Sequence, residues 1–421
     1  MDELGFAVVA LAILAFGLVS ARAQRGLLTP PMAFVLFGFA VGPGGFDLLH
    51  LEVDGAAVHL LAEITLVLVL FADATRIDVK LLRREHDLPL RLLAVGMPLT
   101  IVAGTAAGLV FLPGLSFWEA ALLAAILAPT DAALGQAVVA NDKVPARIRQ
   151  ALNVESGLND GIALPVVLVL FSVACASAGQ ESIPYWLGFA ALQLTVGPLA
   201  GVLVGLAGGR LVDAASSRGW MTETFQELAA IALALLAFAT AELAHGNGFI
   251  AAFCAGLVLG NTARAVCTLE RFADAEGQLL TLLVFLIFGA DLVPQALAHA
   301  NWPTVAYAVV ILTAARMVPV ALSLLGKGLQ PATVLFLGWF GPRGLASILF
   351  ALLVIEAPGG AQHEALIPIV MLTVLISVLA HGITASPLAE RYARRLAGRD
   401  MPEHAPVSEL PLRPRRPGGR R

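Results

Sequence analysis

The chain has 421 residues, of which 58% are hydrophobic and only 13% charged, with a formal net charge of −4 and a mean hydropathy of +0.85. A soluble domain carries about a quarter charged residues, so the composition excludes one and leaves no polar half to form a catalytic domain beside a membrane anchor. What remains is an all-α polytopic membrane protein.

At the N-terminus, Met1-Asp2-Glu3 precedes an apolar run from Leu4 to Ser20. Ala21-Arg22-Ala23 has the small residues of a signal-peptide cleavage site, but a signal peptide carries positive charge before its apolar run. Here acids precede the run while Arg22 and Arg25 follow it, so it reads as a retained first helix. A spanning helix needs roughly 20 apolar residues. Thirteen runs approach or reach that length: Leu4 to Ser20, Pro31 to Phe46, Val58 to Ala74, Leu88 to Leu112, Phe117 to Ala140, Ala151 to Ala178, Ile183 to Val212, Phe225 to Leu243, Gly248 to Thr262, Gly277 to Leu297, Trp302 to Leu325, Ala332 to Ile355 and Ala365 to Leu388. The seventh contains Gly197-Pro198, where a re-entrant break would fit, and the ninth is short, so the range is twelve to fourteen spans.

The charges test this count independently, because Lys and Arg gather in cytoplasmic loops. They follow run one (Arg22, Arg25), run three (Arg76, Lys80, Arg83, Arg84, Arg91), run five (Lys143, Arg147, Arg149) and run seven (Arg210, Arg218). They also follow run nine (Arg264, Arg271), run eleven (Lys327) and run thirteen (Arg391 onward), while the connections after the even-numbered runs contain none. A wrong count would scramble this alternation. The N-terminus is therefore expected outside and the C-terminus in the cytoplasm.

Residues 1–395 are expected to form one transmembrane transporter domain. Its halves, about 4–178 and 225–388, flank run seven (183–212) and start from opposite faces of the membrane, which makes them inverted repeats. Residues 396–421, rich in Pro and Arg, read as a disordered basic tail, whose Arg residues anchor topology and can meet anionic lipid. No nucleotide-binding domain is appended, so neither ATP coupling nor a nucleic-acid partner is expected. The three cysteines (Cys175, Cys254, Cys267) are scattered, without the spacing of a zinc site or a disulfide framework.

A weak echo links the halves: run three ends Leu70-Phe71-Ala72-Asp73, and run ten ends Ile287-Phe288-Gly289-Ala290-Asp291. Paired interruptions carry more weight. Run five is broken by Ala128-Pro129-Thr130-Asp131 and run twelve by Gly341-Pro342-Arg343-Gly344, and breaks at corresponding positions point to a transporter's binding site. Pro129 has no N–H, so the Ala125 carbonyl is expected to lose its helical donor and become available to a cation. Thr130 adds a carbonyl and a hydroxyl, and Asp131 a formal charge.

All but two of the 26 basic residues lie in loops or the tail. The exceptions, Arg316 and Arg343, need a partner or a task, because an intramembrane charge costs at least ~2.5 kcal/mol. Run six reads Asn153-Val154-Glu155-Ser156-Gly157-Leu158-Asn159-Asp160-Gly161. At about 100° per residue, Ser156, Asn159 and Asp160 share one face within an arc of about 100°. Glu155 lies beside that face, free to reach a neighbouring helix, and Gly157 and Gly161 permit close helix approach. Oxygen ligands of this kind suit a hard, weakly bound cation and not a transition metal. His381, in run thirteen, reads as structural.

The three motifs Ala-Pro-Thr-Asp (128–131), Glu-Ser-Gly-Leu-Asn-Asp-Gly (155–161) and Gly-Trp-Phe-Gly-Pro-Arg-Gly (338–344) resemble, in order, signatures of bacterial sodium/proton exchangers of the monovalent cation:proton antiporter family. The resemblance implies a multi-pass protein of the bacterial cytoplasmic membrane that carries Na+, with Li+ or K+ as other candidates, in exchange for H+, without a cofactor. It makes Asp160 the principal carrier of cation or proton, with Asn159 and Ser156 as neutral ligands. Thr130 and Asp131 would line the same site from the broken helix. Glu155 would pair with an arginine, Arg343 being the first choice and Arg316 the alternative. Asp73 would stand on the ion pathway. A homodimer formed through the first helices and the seventh is also implied.

Competition for one site then gives exchange: protons and sodium displace each other at Asp160, and the site crosses the membrane with one or the other. Because Asn159 stands where a second carboxylate would be, the resemblance implies one cation per proton and no net charge movement. A cation channel would place oxygen ligands at a helix break equally well. An intramembrane aspartyl protease using Asp131 and Asp160 fits less, since the Gly-x-Gly-Asp and Tyr-Asp contexts are missing.

Overall fold

The computed structural model describes residues 3–23, 28–48, 56–77, 79, 87–139, 141–178, 182–262, 266–396 and 403. Every regular element among them is helical. The chain opens with α1 (Glu3–Ala23), α2 (Pro30–Val41), α3 (Ala56–Thr75) and α4 (Asp87–Phe111), the last containing a π turn over Leu92–Gly96. Two short helices follow, α5 (Phe117–Ile126) and α6 (Ala132–Val139), then α7 (Ala146–Ser177), α8 (Ile183–Ser217), α9 (Glu223–Leu243) and α10 (Gly248–Thr262). α11 (Val266–Ile287) passes through a π turn at Phe288–Leu292 into Val293–Ala298, so the Asp291 echo lies inside a helix and not at its end. α12 (Trp302–Ser323) is kinked at Thr313, and α13 (Pro331–Trp339), α14 (Leu345–Glu356) and α15 (Leu366–Leu396) complete the fold.

Among the described residues, seven helical stretches are long and apolar enough to cross a membrane by length and composition. α5 and α14 fall short because each is one half of an interrupted crossing, so the number of passes cannot be counted by length alone. α8 runs unbroken through Gly197 and Pro198, without the re-entrant break that this pair allowed.

The helices pack as two groups. α1–α3 pack with α8–α11, and α4–α7 with α12–α15, while α7, α14 and α15 touch both. In lipid no hydrophobic force drives helices together, so small residues that let backbones approach replace it. α10 shows this directly: a Cβ on Gly256 would stand 2.3 Å from the Phe71 carbonyl oxygen of α3, and one on Gly260 2.1 Å from that of Thr75. α7 meets α10 at Gly161, where a Cβ would fall 2.4 Å from the Phe253 ring. Gly157 does not serve the same purpose, because nothing lies within 4 Å of where its Cβ would be.

Within the tail, Glu403 is buried. It accepts hydrogen bonds from the Gln330 amide and the Thr333 hydroxyl, both at 2.8 Å, at the start of α13. The tail is thus packed at this residue instead of being free throughout; its residues 397–402 and 404–421 lie outside the described residues.

Candidate functional site

The site is built from two interrupted helices that cross. α5 starts with a reciprocal capping box between Ser116 and Glu119, and it stops where Pro129 can offer no N–H. The Ala125 carbonyl is not freed as expected, because the chain tightens and the Ala128 amide reaches it at 3.2 Å. Three carbonyls beyond it are taken by the other interrupted helix. Ser347 donates its hydroxyl to the Ile126 carbonyl at 2.9 Å. One Arg343 nitrogen, Nη1, donates to the carbonyls of Ala128 and Pro129 at 2.8 and 3.1 Å.

The clasp is reciprocal. The Asp131 amide donates to the Pro342 carbonyl at 2.8 Å, and Asp131 Oδ2 accepts the amide of Leu345, the first residue of α14, at 2.7 Å. A guanidinium thus sits at the negative C-terminal end of α5 and a carboxylate at the positive N-terminal end of α14, the arrangement the helix dipoles favour. Gly344 makes room for it: a Cβ there would lie 2.1 Å from Asp131 Oδ2. Irregular backbone survives at membrane depth only where protein satisfies its polar groups, and these bonds do so. The Arg343 amide donates to Ser377 Oγ at 2.6 Å. His381 is held between the Ser377 and Trp339 carbonyls at 2.9 and 3.0 Å, the structural position expected for it.

α7 runs beside the crossing and brings the predicted polar face to it. Thr130 Oγ1 lies 3.1 Å from Ser156 Oγ, and Asn159 Nδ2 donates to Thr130 Oγ1 at 2.6 Å. Asp131 and Asp160 are buried, each 9% exposed. Two oxygens on neighbouring residues, Asn159 Oδ1 and Asp160 Oδ1, are buried without a hydrogen-bond partner. A buried oxygen left in that state costs free energy unless a donor or a cation completes it.

Glu155 turns away from this face and pairs with Arg316, Oε1 to Nη2 at 2.6 Å. Arg343, the first choice from sequence, is engaged with the α5 carbonyls instead. Arg316 reaches Glu155 because the kink at Thr313 carries it past Gly341, where a Cβ would stand 2.7 Å from its Nε. Both members of the pair are almost fully buried. Asp73 stands apart at the end of α3, 3.6 Å from Arg76 and partly exposed. It is joined to Asp160 and Asp131 by charge alone. Ser347 and Ser377, which the sequence reading passed over, help hold the crossing. Ser347 had a signal, as the one hydroxyl in the apolar helix that follows the second break; Ser377, in a helix with several hydroxyls, had none.

The family model described as "Sodium/hydrogen exchanger, transmembrane" matches residues 8–391. The K(+)/H(+) antiporter NhaP of Alkalimonas amylolytica is 27% identical over 376 residues, covering 88% of this chain and 63% of that protein. The K(+)/H(+) antiporter NhaP2 of Shewanella sp. (strain ANA-3) is 26% identical over 391 residues, covering 91% of this chain and 65% of that protein. The chain therefore spans somewhat under two thirds of the length of these curated relatives. Among solved structures, the sodium proton antiporter MjNhaP1 from Methanocaldococcus jannaschii at pH 8 superposes with a TM-score of 0.75, covering 94% of this chain and 99% of that one at 19% identity, which shows a common fold. With the family match running through both broken helices and α7, the chain belongs to the sodium/hydrogen exchanger transmembrane family.

Proposed function

We propose that this chain exchanges a monovalent cation for a proton across a membrane, with Asp160 as the group both compete for. The observation that carries this reading is the pair of unpartnered buried oxygens, Asp160 Oδ1 and Asn159 Oδ1, beside the crossed helices. A weakly held cation completes them in one form and a proton on Asp160 in the other. Ser156 and Thr130 supply neutral oxygens, and Asp131 adds charge while one of its oxygens holds α14. An empty site would carry a buried, uncompensated carboxylate through the conformational change, which is costly. The loaded and protonated forms cross and the empty one does not, so the fluxes are coupled.

One carboxylate at the centre gives one cation per proton and no net charge movement. Glu155 does not add a second carrier, since Arg316 neutralises it. The two halves are inverted repeats of six crossings each, about run seven as the thirteenth, with the N-terminus outside and the C-terminus in the cytoplasm of a bacterium, and the protein works as a homodimer. On the outer side, a cavity of about 410 Å³ between α3, α7, α8, α9, α10 and α14 presents Glu63, Glu242 and Glu356 to arriving cations. Sodium is the proposed cation; potassium, named for the two relatives above, is the nearest competitor.

Inside-out vesicles with an imposed pH gradient test this. Sodium chloride should collapse the gradient in wild type and leave it standing with Asp160→Asn, a variant that keeps its shape and fold. Lithium and potassium chloride added in turn rank the cations. No response to any of the three salts, or full exchange by Asp160→Asn, overturns the reading. Exchange that tracks an imposed membrane voltage overturns the one-for-one stoichiometry.

A further inference from the structure

On the face that the basic loops assign to the cytoplasm, α12, α13 and α15 enclose a groove of about 320 Å³. Its walls are apolar, with Met317, Leu335, Trp339 and Leu388 among them, and its rim carries Arg391 and Arg395. The floor is firm, because the Phe336 and Tyr392 rings stack at 4.1 Å. Leu335 is 58% exposed, so the groove opens sideways where a helix bundle meets lipid. The two arginines are four residues apart on one face of α15 and exposed. Neither guanidinium has a hydrogen-bond or ion-pair partner among the described residues.

We propose that this groove binds one anionic phospholipid of the cytoplasmic leaflet, its phosphate between Arg391 and Arg395 and an acyl chain along the apolar walls. Arginine pairs phosphate oxygens in a bidentate fork, and the cytoplasmic leaflet is the anionic one. Two arginines without a charge partner among the described residues stand at the mouth and select against zwitterionic lipid. They also disfavour the chain's own end as occupant, since residues 404–421 carry five arginines and one glutamate. A lipid here braces α13, the half-helix that leads into the Gly341 to Gly344 break, against α15.

Trp339 in the groove wall supplies the probe. The full chain is reconstituted in phosphatidylcholine containing a small fraction of dibrominated phosphatidylglycerol or, in parallel, dibrominated phosphatidylcholine. Bromine quenches tryptophan on contact, so the glycerol lipid should quench more than the choline lipid at equal fraction. That excess should vanish in Trp339→Phe and in the double variant Arg391→Gln/Arg395→Gln. Ala332→Phe, which fills the groove and leaves both arginines, should also remove it. Thermal melting of each variant shows whether it is folded. Equal quenching by the two lipids overturns the proposal, as does an excess that survives the double variant. Loss of the excess on adding soluble glycerol phosphate overturns the groove, because the head group alone would then suffice. An excess seen only after removal of residues 404–421 makes the chain's own end the occupant and overturns it too.

Discussion

Arg316, Arg343 and Asp131 show how a side chain's task is set by what lies within 3 Å of it. The Glu155–Arg316 pair is buried on both sides, and removing one member of such a pair costs roughly 3–5 kcal/mol because the other charge is stranded. Glu155→Gln and Arg316→Gln should each lower the melting temperature in detergent sharply, and the double variant should recover part of the loss. Losses that simply add would mean the two residues act separately. Asp131 is held by a different contact, the Leu345 amide on its Oδ2. Asn can still accept that hydrogen bond and gives up only the charge at a helix start, about 0.3–1 kcal/mol. Ala leaves a buried amide unsatisfied at about 1–3 kcal/mol. The expected order of melting temperatures is wild type, then Asp131→Asn, then Asp131→Ala; an alanine variant as stable as the asparagine one would show that the carboxylate does not hold α14.

At the scale of elements, the helix breaks were legible because Pro129 and Pro342 interrupt apolar runs that a membrane helix would otherwise complete. The polar face of α7 was legible from spacing, since Ser156, Asn159 and Asp160 need only the helix pitch to meet Thr130. The partner of Glu155 was not, because it depends on the kink at Thr313, which no proline marks. Nor was the fate of the Ala125 carbonyl, which hangs on one tightened turn. Gly256 and Gly260 were readable as a pair four apart, yet only contact with α3 reveals what they do. Gly260→Ala would put a Cβ 2.1 Å from the Thr75 carbonyl oxygen, so α10 must move off α3, at a cost of about 1–3 kcal/mol for overpacking. Gly157→Ala meets open space and should stabilise by about 0.4–1 kcal/mol through the unfolded chain. Thermal melts of these two variants side by side separate a packing glycine from a permissive one; equal shifts would deny α10 its close approach.

Across the whole molecule, the scarcity of charge does two kinds of work. Of the 26 basic residues, Arg316 and Arg343 are buried at the crossing, and the other 24 lie in connections, in the end segments of helices or in the tail. A Lys or Arg at the centre of a spanning helix costs about 2.5–3.5 kcal/mol even on insertion scales, so their absence from the remaining runs and from alternate connections is a record of orientation. The orientation can be read chemically. In a background with the three cysteines replaced by alanine, Gly114→Cys sits in the turn between α4 and α5, where nothing lies within 4 Å of its Cβ. Ser217→Cys ends α8, in a connection that carries Arg218. A maleimide that cannot cross membranes should label Gly114→Cys in intact cells, and Ser217→Cys only once the membrane is opened. The opposite pattern would invert the protein in its membrane. Labelling of both from one side would break the alternation on which the crossing count rests, because an odd number of passes separates the two positions only if α5 to α8 pair as three crossings, with α5 and α6 as the halves of one.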